Sequence, residues 1–544
     1  MIFEFSDTGQ QSDSDVCIVG AGPVGLALAF KCAAQGLSVT VLESGGADTD
    51  NDQNVLGPVE ILTPHHAETS LTTRRGIGGT SILWGGRCVT LDDIDFQPRD
   101  FVAFSGWPIS HREIAQHYDE ALSFLGYGRD DDALRLAAAE ASGDIVDDFL
   151  ERWSAKPDLK DLHEAQLRKS ERITVRLGST VTAIALDASG AKVTGVHVRS
   201  RGSDSFIRAK SYVLASGGLE NARLLLAAQQ LWPDKFGGPD GALGRFYCGH
   251  LTGYLAAIRF AKPDFAKRLW YRKNRDGSHI RRRLALSQEA QLKHSLLNGA
   301  FWLDSFSVAD PEHGSGALSM LYVCMAMLGL YPKVGNGLAP SPTEPKARNY
   351  RRHFSNIRQD PRLLTGTFHV LSQLVGRRLG KKIFALANPE NHYLLRYHTE
   401  QVPDPTSRAT LSEREDGAAL PRLSVDFHFQ KQDVESVVRS HEIIDEWLQS
   451  EGIGRLHYLT APERRDEAVL NQALDGYHQI GLTRMSESQS TGVVDRNCRV
   501  HDVANLFVAG SSVFPTAGQA NPTLPAVALA LRLADHLGNL VKRV

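Results

Sequence analysis

Three glycines and one glutamate near the N-terminus have the residue types and the spacing that bind a dinucleotide. The segment GAGPVG (20–25) follows a strand-like run and opens a helix. Gly20 allows the tight turn, Gly22 lets a pyrophosphate approach the backbone, and Gly25 lets the helix pack closely on the strand. Glu43 ends the next strand, where a carboxylate can bind the ribose hydroxyl pair. The pattern predicts FAD or NAD rather than NADP, since an acidic residue disfavours a 2′-phosphate; a structural glycine turn is the alternative.

The C-terminal segment QANPTLPAVALALRLADHL (519–537) predicts a buried helix whose first turn meets a ligand. Its second half has almost no polar face, and proline near the start is typical of a first helical turn. A helix start presents free N–H groups and the positive end of the helix dipole. The amides of Thr523 and Leu524 are therefore candidates for contact with a negatively charged group.

One histidine, His478, lies in the glycine-flanked segment GYHQIGLTRM (476–485), ahead of Asn521 in the sequence. Imidazole titrates near neutral pH and can serve as a general base. A single histidine is more often a structural residue, however. The residue types by themselves leave both roles open for His478.

Three further segments combine small residues with strand or helix patterns. RRGIGGTSILWGG (74–86) predicts backbone packed close to a flat ligand, because a flexible loop would not need Ile82, Leu83 and Trp84. ASGGLENARLLL (215–226) reads as strand, small turn and helix, and an ordinary strand–helix turn explains it equally well. NLFVAGSSVFP (505–515) ends a strand in small residues just before the C-terminal helix, which is the layout of a second ligand-facing element.

The elements that must position these residues form two kinds of pattern. Residues 15–43 read as one βαβ unit, and residues 173–200 alternate as in a hairpin or meander. Residues 107–125 predict a helix with Ser110 as its cap, and 431–450 predict an amphipathic helix. Because the nucleotide-binding signals lie at both ends of the chain, a discontinuous first domain fits best. The predicted dinucleotide-binding domain comprises 1–110, 165–250 and 475–544, and the predicted substrate-binding domain and cap comprise 111–164 and 251–474.

Composition excludes several classes of function. The chain has 544 residues, 42% of them hydrophobic and 23% charged, as in an ordinary globular enzyme. Its net charge of −3 argues against nucleic acid as a partner. The six cysteines include no CxxC pair, so neither a zinc site nor a dithiol redox centre is indicated, no metal is predicted, and buried free thiols are expected.

The apolar run 317–331 is shorter than the ~20 residues that a spanning helix needs, so it predicts buried core. The N-terminus lacks the basic and apolar regions of a signal peptide, and a cytoplasmic location is expected. The basic cluster RRR (281–283) and the stretch LWYRK (269–273) could line an entrance, but a solvated face or an oligomer contact explains them equally well.

Taken together, these segments resemble the glucose–methanol–choline (GMC) oxidoreductases, a family of FAD enzymes. The resemblance is carried in order by GAGPVG with Glu43, GGTSILWGG followed by GWPIS and HYDEAL, ASGGLENARLLL, VPDPTSRATLS, and HQIGLTRM to NPTLPAVALALRLADHL. It implies an α/β fold, with a Rossmann-like, discontinuous FAD-binding domain beside a substrate domain of mainly antiparallel sheet and helices. The centre, about 250–395, matches no motif of the family.

The resemblance also implies roles for individual residues. The flavin would lie against Gly78–Trp84, and His478 and Asn521 occupy the positions of the family's catalytic pair. A His–Asn pair is similar to that of pyranose oxidase and related glycoside oxidases, which favours a sugar or glycoside as substrate. Some sugar oxidases attach FAD through a histidine at the position of Leu83, so FAD should be non-covalent here. The predicted cofactor contacts are Gly20, Gly22, Gly25, Glu43, Gly79, Thr80, Ser81, Trp84, Val181–Thr182, Ala215, Gly510, Thr523 and Leu524.

The expected reaction is oxidation of a CH–OH group by hydride transfer to flavin N5. His478 would take the hydroxyl proton, Asn521 would orient the hydroxyl, and the start of the C-terminal helix would stabilise negative charge on the reduced flavin. The electron acceptor would be oxygen or another acceptor. Four alternatives remain open: an FAD-dependent dehydrogenase of a hydrophobic or steroid-like alcohol, an NAD-dependent dehydrogenase, a dithiol flavoprotein reductase, and a non-catalytic flavin-binding subunit.

Overall fold

The computed structural model of the chain describes most of its length. The described residues are 2–4, 13–46, 58–128, 143–200, 203–330, 350–378, 386–412 and 419–541. Two sheets dominate this part of the chain, one parallel and one antiparallel.

The first sheet has six parallel strands in the order β1-β7-β3-β2-β11-β20. These strands are β1 (Ile2–Glu4), β2 (Ser14–Val19), β3 (Val39–Leu42), β7 (Ile173–Leu177), β11 (Ala209–Leu214) and β20 (Leu506–Val508). β2 and β3 are buried almost throughout, as expected of strands covered on both faces. Segments from both ends of the chain therefore share one sheet.

The second sheet has eight antiparallel strands, in the order β19-β12-β16-β15-β14-β6-β5, with β13 paired to β14. These strands are β5 (Arg87–Cys88), β6 (Ile145–Trp153), β12 (His250–Phe260), β13 (Arg272–Lys273), β14 (His279–Leu286), β15 (Gly299–Asp304), β16 (His392–Glu400) and β19 (Gly454–Tyr458). Successive residues of a strand point to opposite faces. Alternate residues of β12, β14, β15 and β16 thereby share one face.

Two small sheets complete the strands. They are an antiparallel meander of β8 (Thr180–Leu186), β9 (Val193–Ser200) and β10 (Ser203–Ile207), and a mixed sheet of β4 (Val59–Ile61), β17 (Arg408–Leu411) and β18 (Leu423–Asp426).

The described helices are α1 (Pro23–Ala34), α2 (Thr69–Thr72), α3 (His111–Ala115), α4 (Tyr118–Phe124), α5 (Leu159–Lys169), α6 (Gly218–Leu231), α7 (Pro263–Arg268), α8 (Gln288–His294), α9 (Gly316–Met327), α10 (Tyr350–Gln359), α11 (Leu363–Arg378), α12 (Lys431–Ser450), α13 (Arg465–Leu470) and α14 (Thr523–Val541).

Helix α1 packs closely on the parallel sheet and against α14. Gly25 makes this possible, because a Cβ there would lie 2.0 Å from the carbonyl oxygen of Gly20. The C-terminal helix thus covers the dinucleotide-type βαβ unit at the other end of the sequence. The parallel sheet and its helices form one large hydrophobic core, and the antiparallel sheet with α12 forms a second.

The structure confirms the α/β class and the pairing of a Rossmann-like parallel sheet with an antiparallel one. The helix predicted over 107–125 is instead two short helices, α3 and α4, which begin after a capping box at Ser110 and break at Gln116 and His117. Both pack on α14. The domain boundaries stay a prediction.

Two predictions about burial were wrong in part. The run 317–331 begins as buried helix, but Met327 and Leu328 are exposed at the end of α9. Five of the six cysteines are buried free thiols, whereas Cys324 is exposed. A run of apolar residues predicts a helix well, but it does not show how much of that helix is covered by other parts of the protein.

Candidate active site

A cavity of about 900 Å³ is lined by residues of both large sheets. One end is formed by turns that follow strands of the parallel sheet, which is where ligands of such sheets bind. The other end is formed by side chains of the antiparallel sheet, among them Thr252, Arg281, Trp302 and Arg396. The residues RRR and LWYRK contribute to this wall through Arg281 and Tyr271.

The dinucleotide end is made largely of backbone. Gly20 has a φ of +107°, and a Cβ there would lie 2.6 Å from the carbonyl oxygen of Ala215, which directly follows the neighbouring strand β11. Gly22 lies at the start of α1, and a Cβ added to it would meet no atom within 4 Å. The turn after β2 therefore requires glycine for its shape at Gly20 and leaves space at Gly22 for a ligand beside the helix N-terminus.

Glu43 lies at the end of β3, buried and lining this end of the cavity. Its carboxylate accepts hydrogen bonds from the backbone N–H groups of Ala21 and Gly45 at 2.8 Å and of Gly76 at 3.0 Å. Burial raises the pKa of Glu43, and these three hydrogen bonds oppose that rise. A carboxylate has about four acceptor positions, so one is left for a ribose hydroxyl.

The segment after Gly78 forms the next wall as a 3₁₀ turn, Gly79–Ile82. A Cβ at Gly79 would lie 3.0 Å from the Cα of Gly22, so the two glycine-rich segments approach closely. Trp84 donates its indole N–H to the carbonyl of Pro157 at 2.7 Å, which fixes the ring beside the cavity. The backbone and side chains of this segment are thus held in place before any ligand binds.

Most of the predicted cofactor contacts line the cavity: Gly20, Gly22, Glu43, Gly79, Thr80, Ser81, Trp84, Val181, Ala215, Gly510 and Thr523. Three do not. Gly25 packs against Gly20 as described, the hydroxyl of Thr182 donates to the carbonyl of His197, and the side chain of Leu524 is fully buried in the core. Leu524 can contribute only its amide, since the first N–H groups of a helix have no partner within it.

His478 and Asn521 meet in the cavity although 43 residues separate them: Nδ2 of Asn521 lies 3.0 Å from Nε2 of His478. With the amide donating, Nε2 of His478 is the acceptor and Nδ1 carries the proton. Oδ1 of Asn521 is buried and has no hydrogen-bond partner. A buried polar atom left unpaired is costly, so this oxygen is suited to a ligand hydroxyl.

Asp475 fixes the loop that carries His478. Its Oδ1 accepts from the backbone N–H of Tyr477 at 2.9 Å and of His478 at 3.2 Å, and its Oδ2 accepts from the backbone N–H of His250 at 2.6 Å. Oδ2 also lies 3.4 Å from Nδ1 of His478. Burial alone would raise the pKa of Asp475, but His478 and the hydrogen bond with His250 lower it well below its usual value. An ionised carboxylate therefore lies directly behind the imidazole.

Two histidines that the sequence did not single out complete the cluster. Nδ1 of His250 lies 2.9 Å from Nδ1 of His478, and the ring of His398 stacks on that of His250 with centroids 4.2 Å apart. Burial lowers the pKa of His250 to about 4 and that of His398 well below its usual value, so both are neutral. His250 begins β12 and His398 lies on the neighbouring β16, and only the pairing of these strands brings them together.

Within the part of the chain that the structure describes, these three histidines are the group that could offer metal ligands. Ring-nitrogen lone pairs lie in the ring plane, and a zinc ion needs them to converge at about 2.0–2.1 Å. The rings of His250 and His398 are only 24° from parallel, so their lone pairs do not converge. The arrangement is that of a hydrogen-bonded chain, Asn521–His478–His250, rather than a metal centre.

The C-terminal part of the chain, residues 403–530, matches the family model described as GMC oxidoreductase, and residues 18–47 match a NAD(P)-binding Rossmann-like domain. The first match contains Asp475, His478 and Asn521, and the second contains the glycine turn and Glu43. The chain is a GMC-family alcohol oxidoreductase. In this family the cofactor is FAD, and the glycine turn and Glu43 fit its dinucleotide part.

Curated relatives that match this GMC oxidoreductase over nearly its whole length include the following two. A 2-methyl-1,2-propanediol dehydrogenase from Mycolicibacterium austroafricanum is 23% identical, over 97% of this chain and 96% of its own. A 6'''-hydroxyparomomycin C oxidase from Streptomyces lividus is 21% identical, over 96% of this chain and 92% of its own. A pyranose 2-oxidase from Lyophyllum shimeji is 38% identical but over only 12% of this chain and 10% of its own. The expected nearness to pyranose oxidase thus holds for one segment, not for the whole chain.

Among solved structures, pyridoxine 4-oxidase from Mesorbium loti matches 96% of this chain and 99% of its own, with a TM-score of 0.50 and 18% sequence identity. At that identity the match supports the fold alone. In the described residues, no helix combines the length and the apolar character that crossing a membrane requires.

Proposed function

We propose that this protein oxidises a CH–OH group of a sugar, glycoside or related polyol in an FAD-dependent reaction, with His478 as the general base. The observation that carries the proposal is the His478–Asn521 pair at 3.0 Å, inside a cavity whose other end is a glycine-lined dinucleotide cradle. FAD, when bound, supplies the acceptor for the hydride that leaves the carbinol carbon.

His478 has the geometry of a base that is ready to act. Nδ1 is hydrogen-bonded behind the ring to His250 and lies 3.4 Å from the Asp475 carboxylate, so the lone pair is on Nε2, in the cavity. A substrate hydroxyl that donates to Nε2 passes its proton there as the carbon–hydrogen bond breaks. The Asp475 carboxylate stabilises the imidazolium that forms, which is the role of an acidic partner behind a catalytic histidine.

Asn521 orients the hydroxyl. When a substrate oxygen enters, the amide N–H that now meets His478 can turn to that oxygen and stabilise the negative charge that develops on it. The residue stands two positions before Thr523, where α14 begins, so a rigid element holds it in place. The same helix start directs its free amides and positive dipole end towards the cavity.

Non-covalent binding of FAD is part of the proposal. Position 83, where some sugar oxidases carry an attaching histidine, is Leu83, and it lines the cavity. A cytoplasmic location also stays a proposal. Precipitating the yellow enzyme with acid tests the first point: all flavin colour should leave with the supernatant, and colour retained on the protein pellet would contradict it.

The cavity wall supports a polyhydroxylated substrate. Thr252, Asp304 and Arg396 supply donors and acceptors on this wall. A steroid-like alcohol would leave these polar groups buried without partners, which is costly. Two of the relatives that match over nearly their whole length are named for a diol and for a hydroxyparomomycin. These observations favour the polyol class over a hydrophobic alcohol.

The experiment is anaerobic titration of the FAD-loaded enzyme with hexoses, methyl glycosides, small diols and a sterol, with the flavin band near ~450 nm as readout. Bleaching by sugars, glycosides or diols supports the proposal. If the sterol alone bleaches the flavin, the substrate class would be a hydrophobic alcohol instead. If no alcohol bleaches the flavin, only a flavin-binding role would remain. Admitting air afterwards shows whether oxygen accepts the electrons.

A further inference from the structure

Three guanidinium groups surround one indole at the substrate end of the cavity. The Cζ atoms of Arg87, Arg281 and Arg396 lie 4.2, 4.7 and 5.9 Å from the ring centroid of Trp302. All four residues line the cavity. The proposed oxidation uses Arg396 only as a hydrogen-bond donor and gives no role to the positive charge of this cluster.

The strand register places the cluster at a defined distance from the proposed base. Trp302 on β15 pairs with Arg396 on β16, and His398 is two residues further along the same strand and face. Two residues of an antiparallel strand span about 7 Å. His398 belongs to the histidine cluster around His478, with ring centroids 5.5 Å apart. Arg396 therefore lies on the same face of the sheet as a member of the histidine cluster, and it lines the same cavity as His478 and Asn521.

The cluster holds one positive charge more than its carboxylates neutralise. Glu151 pairs with both Arg87 and Arg281, and it accepts from Nε of Arg281 at 3.0 Å. Asp304 lies 3.6 Å from Nη1 of Arg396, beyond a hydrogen bond, and accepts instead from the hydroxyl of Tyr254 at 2.7 Å. Three guanidinium groups thus face two carboxylates.

The three arginines differ in how many of their side-chain nitrogens have a hydrogen-bond partner. Each of the three side-chain nitrogens of Arg281 has a partner, since Nε and Nη2 donate to Glu151 and Nη1 donates to the hydroxyl of Tyr271 at 2.8 Å. The Nε atoms of Arg87 and Arg396 are buried without a hydrogen-bond partner. The side chain of Arg396 is only 12% exposed. A buried cation with unused donors is strongly favourable for an incoming anion.

We infer that the natural substrate is an acidic sugar, whose carboxylate is held by Arg396 with Arg87 beside it while a hydroxyl across the ring meets His478 and Asn521. The acidic-sugar assignment rests on the proposed function, because it places one molecule across both sites. A single carboxylate matches the single excess charge, whereas a phosphate dianion exceeds it and an ammonium group is repelled.

The experiment compares isosteric pairs that differ only in charge. FAD-loaded enzyme is titrated without oxygen with glucuronate and glucuronamide, with galacturonate and galacturonamide, and with glucose, glucosamine and glucose 6-phosphate. Flavin reduction is followed in stopped flow, and binding is followed by the shift of the flavin band. Because a hydrogen bond to a charged group is stronger than one to a neutral group, at least one uronate should reduce the flavin about 10- to 100-fold more efficiently than its amide. Glucosamine should be the poorest substrate.

Variants assign the preference to the cluster. Arg396→Gln should bring the uronate-to-uronamide ratio close to one, and Arg396→Lys should restore part of it because the charge returns. Asp304→Asn removes a negative charge beside Arg396 and should increase affinity for the uronate, a gain that misfolding cannot imitate. Arg464→Gln, an exposed residue on another element, is the matched control and should leave the ratio unchanged.

The outcomes separate the two proposals. A uronate that shifts the flavin band but does not bleach it would keep the anion site and overturn the reaction. Neutral sugars that bleach the flavin as well as or better than both uronates would overturn the anion site and keep the reaction. Glucose 6-phosphate outperforming both uronates would overturn the carboxylate assignment, and no binding or bleaching by any compound would overturn both.

Discussion

The two ends of the cavity are built from different chemical groups. The dinucleotide end presents glycine backbone, a helix start and one carboxylate that is held by three backbone N–H groups. The substrate end presents guanidinium, carboxylate, imidazole and indole groups from strands that are distant in sequence. The first end recognises a ligand by letting it approach the main chain, and the second by placing charge and hydrogen-bonding groups around it.

This difference predicts how substitutions should act at each end of the cavity. At the dinucleotide end a methyl group added at Gly20 or Gly25 meets backbone, which cannot move aside, so sterics dominate at these positions. At the substrate end the side chains neutralise and position one another, so removal of one charge changes electrostatics while the sheet remains. Four substitutions test this contrast.

Gly25→Ala should have the largest effect, with loss of the folded, FAD-binding protein. Its Cβ would lie 2.0 Å from the carbonyl oxygen of Gly20, a contact that forces α1 off the sheet. Gly22→Ala is the matched control, since its Cβ meets no protein atom within 4 Å. It should unfold like the wild type without cofactor yet retain less FAD. Thermal unfolding and flavin content measure both, and equal behaviour of the two variants would contradict the steric account.

His478→Ala should lower the rate of flavin reduction by about 10²- to 10⁴-fold, the usual contribution of a general base. Bound FAD should be retained, because the residue lies where the cavity passes from the cofactor end to the substrate end. Stopped-flow reduction without oxygen is the measurement. His197→Ala, on the exposed face of β9, is the control. Reduction at near wild-type speed would remove His478 from the mechanism.

Glu151→Gln should lower the free energy of unfolding by about 3–5 kcal/mol at pH 7, because it breaks a buried ion pair. Burial alone raises the pKa of Glu151, but Arg281 and Arg87 lower it to about 2. Since the folded-state pKa lies below the unfolded one, the stabilisation is present above about pH 4.5 and is lost as pH falls towards 2.

The difference in unfolding midpoint between wild type and Glu151→Gln should therefore shrink on acidification through this window. Glu435→Gln, whose partner Lys431 is exposed, should show little difference at any pH. A difference for Glu151→Gln that stays constant from pH 7 to pH 3 would show that charge pairing is not its cause.

Asp475→Asn should have the smallest of these effects, a loss of about 10- to 100-fold in flavin reduction. The amide can still accept from the backbone of the His478 loop through its oxygen, but its NH₂ group would meet the backbone N–H of His250. The limiting reduction rate should fall with bound FAD unchanged. Asp466→Asn on α13 is the exposed control, and equal rates for the two variants would confine Asp475 to a structural role.

The sequence predicts the dinucleotide end of the cavity more completely than the substrate end, and the reason is physical. Gly20, Gly22 and Glu43 lie within one βαβ unit, so their spacing along the chain already fixes their spacing in space. His478 and Asn521 could be assigned only through the resemblance to GMC enzymes. Asp475 could have been predicted from the sequence, since it stands three residues before His478 in the segment DGYH.

His250, His398 and Arg396 could not be found in this way. They come from β12 and β16, and their proximity depends on strand order, register and which face of the sheet each residue occupies. A shift of one residue in either strand would turn these side chains to the opposite face. No local pattern of the sequence carries that information. For the same reason, the sequence left three interpretations open for RRR and LWYRK: an entrance, a solvated face or an oligomer contact.

The most direct test of the central claim is a single anaerobic turnover of the FAD-loaded enzyme with an oxidisable sugar that carries deuterium on the carbinol carbon, compared with the unlabelled sugar. If that carbon gives its hydride to the flavin while His478 takes the hydroxyl proton, the deuterated sugar should bleach the flavin more slowly, and one carbonyl product should form per FAD. Equal bleaching rates, or bleaching without a carbonyl product, would contradict the account.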